Sequence, residues 1–145
     1  MDYDQRRTQL AGLDALSASE LLARGDEGLP KLRVVREALH LRRRRPELFG
    51  AGAAGAYAPL LFSGARAEHG VGFTRGGSVA VVVPRLVLGL RSGWDDTALR
   101  LPRGAWTDLL TGATCEGGPV LVAELLASFP VALLELNSEA PAGLA

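Results

Sequence analysis

Cysteine is nearly absent from this chain: Cys115 stands alone, which excludes an internal disulfide and a metal site built from clustered cysteines. Net charge is absent too. Sixteen basic residues balance sixteen acidic ones, so no global field draws in polyanions. The amino-terminal residues 1–50 carry ten basic and eight acidic groups, too small a surplus for a nucleic-acid arm. No apolar run approaches the ~20 residues that cross a bilayer. The opening "MDYDQRRTQLAGLDAL" lacks the charged start and apolar run of a secretory signal. These absences lead us to expect a soluble, cytoplasmic protein with no cofactor, no metal, no nucleic acid and no membrane. At 145 residues it is one domain, or a small domain with a helical appendage.

What is present falls into two halves of different period. "SASE" at Ser17–Glu20 is a capping box, predicting a short helix that runs to about Arg24 and is closed by "GDEG". Pro30 suits a first helical turn, where its missing N–H has no intrahelical partner. Leu32, Val35, Leu39 and Leu41 then recur at near-helical spacing, with Val34 and Ala38 widening the stripe. Pro46 ends that helix at Arg45.

Past Gly50 a Gly/Ala linker, "GAGAAGAYAP", marks a boundary. Short β-like runs follow: "LLFSG", "HGVGFTRG", "SVAVVVPRLVL", "TALRLP", "AWTDLL" and "VALLEL". Gly-rich turns separate them, including an "EGG" turn at Glu116–Gly118. The pattern predicts an α+β chain, helices first and then an antiparallel β-sandwich, with "SVAVVV" central because it is apolar on both faces. "VAELLASF" is expected to form a turn or two of helix before the last strand.

The chemistry-bearing residues read mostly as structure. His40 and His69 carry no partner pattern for catalysis, and Cys115 reads as a small apolar filler. Asp95 and Asp96 are adjacent and read as a turn, not as carboxylates facing each other across a glycosidic bond. Trp94 and Trp106 could stack on a sugar, which leaves a stand-alone glycan-binding module as an alternative reading, but core or interface is favoured. The run Arg42–Arg45 places cations at a helix carboxyl end, where they face the negative pole of the macrodipole. Four consecutive helical residues sweep about 300°, so these arginines form no single patch.

Several strings, taken in order, resemble the carboxyl end of maltooligosyl trehalose synthases, a family of the α-amylase superfamily. They are "GLPKLRVVREALHLRRRRPELFG", "YAPL", "AEHGVGFTRG", "VVVPRL", "GWDDTALRLPRGAWTDLLTG" and "VLVAELLASFPVALLEL". The opening "DYDQRR" is similar to the family's "DPDNRRP" loop, with Tyr3, Gln5 and Thr8 departing from it. The resemblance implies that Asp2 and Arg6 bind glucose units of a maltooligosaccharide. It also implies that residues 1–49 are the last loop and helices of a (β/α)8 barrel and that 52–137 form a β-sandwich; beyond the resemblance, 138–145 are expected to be a disordered tail. The implied enzyme converts the reducing-end α-1,4 bond to an α,α-1,1 trehalose bond through a covalent glycosyl-enzyme. Its catalytic Asp and Glu lie on earlier barrel strands, so the chain is expected to be a fragment with no activity of its own. The implied partners are the missing barrel or, through the helical segment, a second copy.

Overall fold

The computed structural model describes residues 2–137; the expected tail at 138–145 lies outside the described residues. The amino-terminal half is a helical layer of α1 (Tyr3–Gly12), α2 (Ala18–Ala23) and α3 (Leu29–Arg44), linked by short 3-10 turns. Seven strands follow: β1 (Tyr57–Pro59), β2 (Phe62–Ser63), β3 (Gly70–Arg75), β4 (Val79–Pro84), β5 (Ala98–Asp108), β6 (Thr114–Leu121) and β7 (Ala132–Leu136). One turn of helix, α4 (Val122–Leu125), precedes the last strand where a short helix was expected.

Local chemistry accounts for the helices. The capping box forms: Ser17 Oγ accepts from Glu20 N at 3.3 Å, and Glu20 Oε2 accepts from Ser17 N at 2.7 Å. Helix α3 starts after Gly28, whose φ of +76° suits a residue without Cβ, and carries Pro30 in its first turn. Leu29 and Leu41 are its buried residues. The expected stripe docks only in part: Leu32 is half-buried, whereas Val35 and Leu39 remain exposed. Charged stems take the inner face instead. Arg33 Nη2 donates to the carbonyls of Leu13 and Leu16 at 3.0 and 3.1 Å, and Arg36 Nη2 reaches Asp14 Oδ1 at 2.6 Å. The hydrogen bond from Arg36 holds the Asp14 carboxyl below its ordinary range.

The strands do not form a sandwich of two sheets. They make one antiparallel sheet in the order β1-β3-β4-β7-β5-β2, with β6 on the other edge of β5. The sequence-adjacent β1 and β2 pair at opposite ends of that order, β1 with β3 and β2 with β5. The single segment Tyr57–Ser63 therefore spans the two ends and curls the sheet into a half-barrel. The helices provide the second layer that the sandwich reading assigned to strands.

Each strand's two faces serve different cores. On β4, Ala80 and Val82 point into the half-barrel with Leu60, Leu99, Leu101, Trp106, Val122, Ala132 and Leu134. Val79 and Val81 point outward, with Phe129, Leu133 and Leu110, against Leu13, Leu21, Leu29, Leu41 and Leu48 of the helical layer. "SVAVVV" is apolar on both faces because both are covered.

The curl depends on β5. The runs "TALRLP" and "AWTDLL" are one strand with an irregularity between Leu101 and Ala105. That bulge lets Leu101 and Trp106, five positions apart, both face the interior. Its partner is β6, a strand running through the "EGG" at which the sequence predicts a turn, although Gly117, Gly118 and Pro119 are poor strand formers. Gly117 is needed there: a Cβ built on it would lie 1.9 Å from the Pro102 carbonyl oxygen. Trp106 Nε1 donates to that same carbonyl at 3.0 Å, fixing the bulge from inside. Trp106→Phe deletes this donor and leaves a small void, and should lower stability by about 2 kcal/mol in urea titration.

The arginine run ties the two layers together. Arg44 Nη2 donates to Glu135 Oε2 at 2.9 Å, and Arg45 approaches Glu135 Oε1 at 3.4 Å and Glu47 Oε1 at 2.6 Å. Below it, Arg75 Nη1 donates to the carbonyls of Leu48 and Gly55, both at 3.3 Å, while its guanidinium lies 5.8 Å over the Phe49 ring.

Candidate substrate-contact site

Asp2 and Arg6 sit at the start of the helical layer. The resemblance placed them in a loop, but Tyr3–Gly12 is helical and Asp2 is its cap. Asp2 Oδ1 accepts from Asp4 N at 3.1 Å and Gln5 N at 3.0 Å, the ordinary chemistry of an aspartate at a helix amino end. One turn on, Arg6 Nη1 donates to Gln9 Oε1 and to the Glu27 carbonyl, both at 3.0 Å. The guanidinium lies over Gly28, where a Cβ would approach Nη1 to 3.5 Å. Arg6 thus clasps α1 to the turn that opens α3.

A cleft of about 240 Å³ lies beside this clasp, lined by Arg6, Gly28, Lys31, Leu32 and Val35. Two cations form its lip and two aliphatic side chains its wall. Guanidinium and ammonium donors suit vicinal hydroxyls, and an aliphatic wall suits the apolar face of a sugar ring. No carboxylate is among the residues lining the cleft, so they supply neither nucleophile nor general acid for glycosidic chemistry.

The other candidates have structural positions. Trp106 is wholly buried and Trp94 is half-buried against the half-barrel interior. A glycan cannot reach the first without unfolding the bulge. Asp95 adopts φ +50° and its carboxylate pairs with Arg66 Nε at 3.1 Å, while Asp96 Oδ1 accepts from Ala65 N at 2.8 Å. These are turn roles, as their adjacency suggested. His40 is exposed on α3, and His69 is buried with Nδ1 3.1 Å from the Leu86 carbonyl. Among the described residues no group of three or more His, Cys, Asp or Glu is placed to hold a metal. No described helix is long and apolar enough to cross a membrane.

One residue passed over in the sequence reading is Asp108, within "WTDLLTG". It is buried at the β5–β6 turn, where Oδ1 accepts from Leu110 N at 3.0 Å and Leu133 N at 3.4 Å, and Oδ2 from Thr111 Oγ1 at 3.0 Å. Burial raises its carboxyl above the ordinary range, and those three hydrogen bonds oppose the rise. An Asp followed by Thr and Gly three and four positions later was the available signal for such a turn.

No protein-family model matches the chain. Over 135 residues, 92% of its length, it is 42% identical to putative maltooligosyl trehalose synthases of two Mycobacterium tuberculosis strains. Its fold superposes on maltooligosyltrehalose synthase from Arthrobacter ramosus, and on a mutant of it, with a TM-score of 0.67 and 44% identity over 83% of the chain. The chain spans about 15% of the length of these curated relatives and 16% of the solved chains.

Proposed function

We propose that this chain is the carboxyl-terminal section of a maltooligosyl trehalose synthase, completing the barrel's last helices and buttressing them with the half-barrel. The carrying observation is the collinear match, 42% identity over 92% of the chain, to one section of that enzyme. The whole enzyme isomerises a maltooligosaccharide: the reducing-end α-1,4 bond breaks, the same glucosyl carbon bonds to the anomeric oxygen of the released glucose, and no water is consumed. The Asp nucleophile and Glu acid/base that carry this out reside in the other section. Asp2 and Arg6 contribute substrate contacts at the edge of the active face, with the cleft at Lys31, Leu32 and Val35 beside them. Loops and helix starts after barrel strands line that face in this architecture, which supports the assignment.

The test is a chimera in which this chain replaces the matching section of the Arthrobacter ramosus enzyme. Incubated with maltopentaose, the chimera should form a trehalose-ended product, while the isolated chain should form none. Arg6→Ala in the chimera should raise KM at least tenfold, as expected for losing a charged hydrogen bond to substrate. A folded but inactive chimera, or product from the isolated chain, would overturn the proposal.

A further inference from the structure

Of the twelve exposed large apolar side chains among the described residues, Tyr3, Leu10, Leu22, Val35 and Leu39 lie on the helical layer and Leu121 at the end of β6. The other six belong to the outer side of β1 and β3, with Tyr57, Leu61 and Val71, and to the loop after β4, with Leu86, Val87 and Leu88. Register explains the grouping. Val71 pairs directly with Val83, and Pro59 with Phe73, whose ring lies 5.2 Å from that of Tyr57. Leu60 N donates to the Gly72 carbonyl at 2.9 Å, extending the pairing by one residue; Leu60 faces inward and Leu61 outward, 80% exposed.

The loop end of this patch is held in place. Leu86 adopts a φ of +51°, a left-handed conformation that strains an aliphatic residue. His69, itself buried, places Nδ1 3.1 Å from the Leu86 carbonyl and 3.3 Å from that of Arg85. Two carbonyls can only accept, so that nitrogen carries the proton and donates. Arg85 N returns a bond to the His69 carbonyl at 2.8 Å, and Gly89 N one to the Leu86 carbonyl at 2.9 Å. Gly89 leaves room for the imidazole, since a Cβ there would fall 2.3 Å from His69 Cε1. The result is a pinned turn presenting Leu86, Val87 and Leu88 at 63%, 59% and 76% exposure.

We infer that this patch is the seat of the other section of the synthase, with the pinned turn entering an apolar recess on it. The inference rests on the functional reading above and adds a contact surface on the strand side of the molecule, away from the cleft at Val35. Six side chains cover a few hundred Å², less than the ~800 Å² per partner typical of a stable complex between separate molecules. Such a patch suffices where the partner is tethered, because tethering supplies a millimolar effective concentration. The relatives supply such a partner, since about 85% of their length lies outside the match. Arg85 and Arg91 flank the turn, and an acidic rim on the recess would complement them.

Leu86→Ser/Leu88→Ser tests this in two settings. In the isolated chain both positions are exposed, so Tm should move by less than about 2 °C. In the active chimera the same pair should lower Tm by 5 °C or more and hasten proteolytic release of the 145-residue section severalfold. Equal small shifts in both settings overturn the inference and leave the functional reading intact. A chimera that never becomes active fails both. Concentration-dependent dimers of the isolated chain, abolished by the double substitution, would make a second copy the occupant and also overturn it.

Discussion

Gly117→Ala should destabilise the chain by about 3 kcal/mol, a fall in Tm of roughly 10 °C at this size. The added methyl meets the carbonyl oxygen, carbonyl carbon and Cα of the bulge at Pro102–Arg103, at 1.9, 2.8 and 2.9 Å. These are backbone atoms, so no rotamer change relieves the clash. The bulge must open, which releases the Trp106 Nε1 bond and turns either Leu101 or Trp106 out of the interior. Gly112→Ala is the control. Gly112 has φ +78° and nothing within 4 Å of its would-be Cβ, so only the conformational cost remains, about 1 kcal/mol. Calorimetry of the two variants separates lack of space from backbone strain. Equal losses would mean that the bulge is not the rigid corner described above.

Asp108→Ala should cost a comparable amount, about 3 kcal/mol, because it strips acceptors from two buried N–H groups, those of Leu110 and Leu133. Asp108→Asn keeps an acceptor of the same shape for both and should cost under about 1 kcal/mol at pH 7. The pair also predicts a pH dependence. Burial raises the Asp108 carboxyl above its unfolded value, so its stabilising contribution is complete below pH ~4 and declines as pH rises through the shifted value. Asn does not titrate. Wild type should therefore lose stability relative to Asp108→Asn between pH 4 and pH 7, read from urea midpoints at the two ends. A constant difference across that range would mean the hydrogen bonds, not burial, govern the carboxyl.

Much of the helical layer could be read from the sequence because its signals are local. The Ser17–Glu20 box, Gly28 with Pro30, and Pro46 each act within a few residues, and the helices begin and end where those signals lie. The centrality of "SVAVVV" was equally plain, since a strand apolar on both faces needs cover on both. What covers the outer face was not legible. Periodicity says that Val79 and Val81 are buried, but not that Leu29 and Leu41 bury them rather than a second sheet. Strand β6 was hidden because Gly117, Gly118 and Pro119 answer to a bulge on another strand, a tertiary demand with no local trace. At the candidate site, Asp2 and Arg6 came from resemblance alone; their residue types equally suit a helix cap and an interhelical clasp, and both are observed. "WTDLLTG" stood out as a string, yet its Asp acts by shaping a turn and tying it to Leu133.

The order in which the polypeptide emerges gives the Arg44–Glu135 bond a further meaning. The helical layer is synthesised first, but its docking surface includes Leu133 and its ionic clamp is Glu135, some 90 residues later. Tyr57–Ser63, too, must wait for β3 on one side and β5 on the other. Until β7 leaves the ribosome, Leu29, Leu41 and Leu48 have only part of their sheet surface, that of Val79, Val81 and Leu110, to lie on. Within this section the apolar helical surface is therefore fully covered only once β7 has been made. Chaperone capture of ribosome-bound intermediates should accordingly persist until the last strand is complete and then cease abruptly.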